Sequence, residues 1–387
     1  MTREPLLERV RKLAPLVEGA ARAGERERNL RPEVAAALCE AGAYTLLVPR
    51  ALGGEELAPD AALAVIEELS RQDASAGWCV GTAAVTAAIV AGRVSEAVAR
   101  EIFAPGHRSI CAGGLVPSGR AQPAPGGYRI AGRFRFASGI RYATTAVGGC
   151  LVCDGEQPRL RADGLPEMLV FCCDPAQIEI QDDWDVAGLE ASGSFDFRCS
   201  DLFVPEGATF PLLDPGRAPP GSLAALSAVS VAYVNHAGFA LGVARRALDE
   251  VRELARGRQR LGSAAPLGEG PAFLARWARA DARLRAARLL ALDALRALWE
   301  ELRRSGGALG AREAELSSAA VLASDAAAHA TQMALRAGGA HAIFRSEPLQ
   351  RCFRDLHAGR QHIAVAEEVW ERAGRSAFAL PDPRPSR

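Results

Sequence analysis

Between Ser109 and Pro205 the chain is rich in glycine, proline and β-branched residues, and its apolar runs are short. SICAGGLV, YRIAGRFRF, TTAVGGCLV, EMLVFCC, IEIQDDWDV and SFDFRCSDLFV follow one another at regular spacing, with turn residues between them. This pattern predicts strands in a small β-barrel or sandwich. The flanks have a helical period instead: Leu6, Val10, Leu13 and Val17 keep one stripe near the start. The expected architecture is therefore α+β and multidomain. Residues 1–105 form an N-terminal helical domain, 106–212 a β-domain that begins at Pro105-Gly106, and 223–387 a C-terminal four-helix bundle. Leu212 to Ser222, LLDPGRAPPGS, reads as a linker. The bundle helices are expected at 223–256, 271–302, 311–337 and 348–373, with short connectors such as RSGGALGA.

A chain of 387 residues is long enough for two or three packed domains. The 46 basic and 46 acidic residues cancel, so neither nucleic acid nor an anionic membrane is an expected partner. The only lysine is Lys12, which argues against Schiff-base chemistry. Nine cysteines are scattered; Cys150 and Cys153 make a CxxC without a second pair, in a run where the two side chains point to opposite faces. Buried thiols in a reducing, cytoplasmic setting are the expectation. MTREPLLERVRK is charged and lacks the apolar core of a secretory signal. No GxGxxG opens a helix after a strand, and GxxxxGK[ST] does not occur, so a Rossmann or P-loop nucleotide site is not expected.

The most chemically loaded stretch is Pro348 to Val365, PLQRCFRDLHAGRQHIAV. It reads as a single helix with proline just inside its start. On such a helix His357 and His362 point about 140° apart, so only one faces a given pocket. Asp355, Gly359 and His362 share a face. Glycine in mid-helix costs roughly 1 kcal/mol against alanine, so either a crossing helix or a ligand ring needs the space beside His362. Trp78 begins a second notable helix, GWCVGTAAVTAAIVAG, which is small-sided and nearly uncharged and is therefore either core or cavity lining.

PLQRCFRD resembles the last-helix segment of the acyl-CoA dehydrogenase superfamily, in which a proline leads to an Arg-Asp pair, here Arg354 and Asp355. In the dehydrogenases a catalytic glutamate follows that arginine by nine residues; here the position is Ile363, which cannot take a proton, and His362 precedes it. A histidine without the glutamate is similar to the flavin-dependent two-component monooxygenases that share the fold. The resemblance covers nearly the whole chain and implies its helical, β and four-helix order. It also implies reduced flavin, FAD or FMN, delivered by a separate reductase; a small substrate, aromatic or otherwise electron-rich; and a homo-oligomer, a tetramer built from dimers.

The family match supplies further site residues. GRFRFASG, Gly132 to Gly139, resembles the strand flanking the flavin ring: Phe136 would shield a ring face, and the Ser138 hydroxyl would hydrogen-bond flavin N5 and slow loss of peroxide. WDVAGLEASGSFDFRCSDLFVPE, Trp184 to Glu206, resembles the segment closing the β-domain; Ser194, within Ser192-Gly193-Ser194, belongs either to a phosphate or ring-edge contact or to a plain hairpin turn. Arg258, followed by Leu261-Gly262, resembles the arginine that meets the flavin phosphates, for which a planar guanidinium fork is suited. Gly338 and Gly339 resemble the paired glycines at the cofactor tail, but His341 replaces a third glycine, which leaves FAD and FMN both open. Trp78 and Gly359 are expected to line the substrate pocket.

Two departures sharpen the reading. ICAGGLVP, Ile110 to Pro117, lacks the polar groups of the dehydrogenase segment and weakens the case for an acyl-CoA substrate. The helix after Trp78 has no histidine, so a two-histidine site that activates a phenol is not expected. His362 is expected to be catalytic together with Ser138, as an imidazole that switches charge near pH 6.5. Two rival readings remain: an acyl-CoA dehydrogenase-like FAD enzyme with a relocated base, and a non-catalytic scaffold that has lost flavin. No metal site is expected.

Overall fold

A computed structural model describes residues 4–104, 108–213, 221–259, 265–305, 309–378 and 380. The expected break at Pro105-Gly106, most of the linker, Leu261-Gly262, part of the RSGGALGA connector and the PDPRPSR tail lie outside the described residues. Six helices come first: α1 Leu6–Lys12, α2 Ala14–Glu27, α3 Pro32–Ala41, α4 Pro59–Gln72, α5 Ala74–Arg93 and α6 Glu96–Ile102. Proline near the start of α2, α3 and α4 costs nothing there, because the first turn has no use for its missing N–H. Asp73 caps α5 by accepting from the Ala76 N–H at 2.8 Å. α5 alone among the described helices is long and apolar enough to cross a membrane, and nearly all of it is buried inside the fold. Its small side chains let α4 and α7 (Ala228–Gly257) approach closely.

The middle of the chain forms one eight-stranded sheet: β1 Cys111–Ala124, β2 Gly127–Phe134, β3 Thr145–Asp154, β4 Gln157–Pro158, β5 Met168–Cys173, β6 Glu179–Ile180, β7 Phe197–Pro205 and β8 Thr209–Pro211. The order is β6-β7-β2-β1-β3-β5-β8, with β4 on β3. Pairing is antiparallel except for β1 with β3, which run parallel and pair Cys111 with Thr145. Phe134, Phe171 and Phe197 fill the sheet's own core, Phe134 stacking on Phe197 at 4.8 Å. Five of the six expected runs carry strands, while of IEIQDDWDV only Glu179–Ile180 pairs; the pairing path among the described residues runs from β6 to β8, and those two ends are not paired with each other.

After the sheet come α7, α8 (Pro271–Ser305), α9 (Gly310–Gly338), α10 (Pro348–Gly359) and α11 (Glu368–Ala377). α7, α8 and α9 lie close to three of the expected helices. The fourth is different. Helix 348–373 does not exist as one rod, and neither does Pro348–Val365. α10 ends at Gly359, a turn follows, Ile363–Val365 is a single 3₁₀ turn, and α11 starts after it. At Gly359 itself a Cβ would sit 2.4 Å from Cε1 of Phe239 and 3.1 Å from Cζ3 of Trp78. Two aromatic rings, from α7 and α5, take the space that the missing side chain leaves. The helical angle between His357 and His362 therefore does not apply, because His362 lies past the helix end.

The Arg-Asp pair ties these parts together. Arg354 reaches Glu190, Glu25 at 2.7 Å and Gln350 at 2.7 Å. Asp355, almost fully buried, accepts from the Leu189 N–H at 2.7 Å. α10 thereby holds the 3₁₀ turn Glu190–Ser192 that leads into β7.

Candidate active site

Ser138 follows β2 and is buried. Its Oγ accepts from the Trp78 indole N–H at 3.1 Å and lies 2.7 Å from Ser194 Oγ, which is 2.7 Å from Ser192 Oγ. Indole only donates, while each hydroxyl has one proton and two lone pairs. Three hydroxyl protons serve two links, so one is left over. Ser192 is fully buried, and its Oγ has no other partner among the described residues. A leftover proton there would be stranded, at a cost of about 1–3 kcal/mol. The cheaper order runs Ser192 to Ser194 to Ser138, and it leaves Ser138's own proton free to donate outward. The turn Ser192-Gly193-Ser194 thus backs Ser138 from behind.

His362 starts the 3₁₀ turn, and its Nδ1 accepts from the Ala364 N–H at 3.1 Å. The neutral ring must then carry its proton on Nε2. The ring packs 4.3 Å from that of His236, tilted by 38°, and 6.2 Å from Trp78. His236 is on α7 and buried, with its ring edge-on to Trp78 at 5.4 Å. Phe239, one turn further along α7, meets Trp78 edge-on at 5.0 Å. His362 is open to solvent on one side, yet the protein atoms around its ring depress its proton affinity. Burial holds His236 well below the usual imidazole range, and proximity to His362 adds to this. No carboxylate figures among the groups that shift either ring. Two neutral imidazoles, an indole and a donating hydroxyl make a site that can hydrogen-bond oxygen and pack an aromatic ring. It offers no anionic base.

Phe136 is 67% exposed and has φ +60, a conformation rare for a bulky residue. Its N–H donates to Asp196 Oδ1 at 3.3 Å, and Asp196 is in turn held by Arg133 at 2.6 Å. The strain presents the ring outward, where its one ring neighbour among the described residues is the edge of Trp184 at 6.3 Å.

Arg258, Gly338 and Gly339 form a second group. Arg258 leaves the end of α7 and donates to the Gly338 carbonyl. Gly339 has φ +60, and a Cβ there would meet the Arg258 guanidinium at 3.4 Å. His341 turns aside to Glu347 at 3.3 Å. A cation beside bare backbone is the kind of surface that takes a phosphate.

Residues 3–105 match the family described as "Acyl-CoA dehydrogenase, N-terminal domain", and residues 234–367 match "Acyl-CoA dehydrogenase, C-terminal domain". An indole-3-acetate monooxygenase of Pseudomonas putida is 31% identical over 370 residues, covering 94% of this chain and 91% of the relative. The chain belongs to the acyl-CoA dehydrogenase superfamily, in its flavin-dependent monooxygenase branch. A pigment production hydroxylase of a Rhodococcus species is 29% identical, covering 98% of each chain. The structure of XiaF from Streptomyces, in complex with FADH2 and glycerol, superposes with a TM-score of 0.88 at 25% identity, covering 99% of this chain and 97% of that one.

Seen as a member of the monooxygenase branch, the chain gathers Trp78, Ser138, Ser194, Gly359 and His362 into one site and Arg258, Gly338 and Gly339 into another, with Phe136 standing at the surface. Gly359 is filled by protein rings, which makes it a floor beneath Trp78. A second histidine, His236, does sit at the site; it was missed because it comes from α7 and not from the helix after Trp78. Sequence reasoning also missed Phe239, and it named Ser192 only as part of the Ser192-Gly193-Ser194 turn, not for its hydroxyl. The helix that carries both His236 and Phe239 was expected at 223–256, but nothing in its sequence said which of its residues would face Trp78.

Proposed function

We propose that this chain is the oxygenase component of a two-component monooxygenase: it takes reduced flavin from a separate reductase and oxygenates a small aromatic molecule. The observation that carries the reading is the His362–His236–Trp78–Ser138 cluster beside Ile363, where the dehydrogenases have their base. Bound reduced flavin supplies the activation of molecular oxygen. The residues fit such a group. Phe136 and the outward proton of Ser138 would meet its ring, while Arg258 and Gly339 would face a phosphate common to FAD and FMN. His362 would donate a hydrogen bond from Nε2, and Trp78 would pack against the substrate ring. Indole-3-acetate, named for the Pseudomonas relative, is the first substrate to try. The working assembly in this reading is a homotetramer in the cytoplasm.

The test supplies reduced FAD or reduced FMN, oxygen and indole-3-acetate or a simple phenol, and looks for oxygenated product. Dialysis against each flavin separately decides between the two cofactors. Under anaerobic conditions no acyl-CoA should bleach bound oxidised flavin. Rapid bleaching would sink the reading in favour of a dehydrogenase, and a protein that takes up neither flavin would point to a scaffold.

A further inference from the structure

His362 is held from two sides. The Ala364 N–H occupies Nδ1 at 3.1 Å, and the ring of His236 lies 4.3 Å from its own, almost wholly buried. Neither ring nitrogen of His236 has a hydrogen-bond partner among the described residues. His236 therefore contributes its ring to the packing and no bond that steers it elsewhere. Trp78 presses edge-on against both imidazoles from α5. These neighbours carry no charge. The titratable group that bears on His236 is His362 itself.

We propose that His236 is a positioning residue that, together with the Ala364 N–H, locks His362 as the neutral imidazole with its proton on Nε2. The consequence is chemical. A neutral imidazole donating from Nε2 offers no lone pair at that nitrogen, so His362 cannot serve there as a general base. Nor does it readily give up its last ring proton. It acts on its target as a fixed hydrogen-bond donor, suited to oxygen that gains negative charge. Placing a proton on Nδ1 would break the cap on the 3₁₀ turn, so the fold itself resists the charged form. The assignment of what His362 acts upon rests on the monooxygenase reading; its tautomer and its holder do not.

The experiment uses the full-length protein with ¹⁵N-labelled histidine, without flavin, and long-range ¹H–¹⁵N spectra across pH. His362 is assigned by comparison with His362→Gln. In the wild type, its signals should be those of the Nε2–H tautomer at pH 7. His236→Phe retains a ring against His362 and should keep that pattern. His236→Ala uncovers the ring face that His236 packs against: the tautomers should mix, and titration should move back toward the ordinary imidazole value. A wild-type His362 that is charged at pH 7 or carries its proton on Nδ1 overturns the proposal. So does a pattern unchanged in His236→Ala. If His236→Phe keeps the tautomer but loses product formation, His236 acts on the substrate directly, and the positioning role is wrong. Because the spectra need no flavin, the tautomer of His362 is decided by them even if the flavin reading fails.

Discussion

At the residue scale, the chemistry rests on which atoms are already spoken for. His362 has one ring nitrogen engaged by the Ala364 N–H and the other open. Ser138 has both lone pairs occupied, by Trp78 and by the serine behind it, once the leftover proton is placed at the cheaper end. Both groups are thereby donors. His362→Ala should still bind reduced flavin while product formation drops roughly 10²- to 10³-fold, the usual cost of losing a donor aimed at a negatively charged oxygen. The reducing equivalents should then appear as hydrogen peroxide, measured beside the product. His357, which packs on Phe353 at 4.3 Å with a buried and unpartnered Nε2, takes no part in this group. His357→Ala should alter the melting temperature and leave the ratio of product to peroxide near that of the wild type. The opposite outcome for the two histidines would mean that the catalytic assignment is reversed.

At the scale of elements, α10 is the strut. Its last residue must be glycine, because Phe239 and Trp78 fill the place of a side chain. Gly359→Ala should destabilise the protein by about 1–3 kcal/mol through overpacking and push Trp78 away from Ser138. Urea denaturation and the tryptophan emission of the folded state would register the two effects separately. A variant as stable as the wild type, with unchanged emission, would mean that the rings yield freely. The same helix carries a buried carboxyl. Burial raises Asp355 to about 7; the Leu189 N–H opposes this, the carboxylates of Asp73 and Glu25 add to it, and Arg354 opposes it. In the unfolded chain the group titrates near its ordinary value of about 3.9. Between these values the folded state holds a proton that the unfolded state has released. Stability from this group is therefore full below about pH 4, falls as pH rises to about 7, and is level above. Asp355→Asn keeps an acceptor for Leu189 and should remove that slope from a plot of melting temperature against pH. A slope that persists in the variant would assign the titration to another group.

At the scale of the molecule, the described surface keeps apolar side chains that a lone chain has little reason to show. Leu289 and Leu290 on α8 are 66% and 43% exposed, and Phe344, between α9 and α10, is 60% exposed. Scattered exposed leucines are ordinary, but adjacent ones on a long helix suit a contact between copies. Light scattering at micromolar concentration should give the mass of an oligomer, a tetramer by family resemblance. Leu289→Glu combined with Leu290→Glu should lower it. A monomeric mass for the unaltered protein would contradict this expectation.

Much of the fold was legible in the sequence because the signals are local. Short apolar runs with turn residues between Ser109 and Pro205 became strands, and 3.6-residue stripes became helices on either side. The motif PLQRCFRD and the change from glutamate to Ile363 are local as well, and they were enough to separate this branch from the dehydrogenases. What a linear pattern does not contain is who meets whom. Trp78 finds Ser138 sixty positions away, and Ser138 finds Ser194 at a separation of 56. His236 reaches His362 from another helix altogether. Nor does the periodicity of Pro348 to Val365 show that α10 stops at Gly359, where rings from α5 and α7 occupy the place of a side chain. The sequence by itself determined the order of the three parts and placed Ile363, which cannot take a proton, where the resemblance puts a base. Only the tertiary structure decided which histidine stands against His362 and which way the hydroxyl protons run.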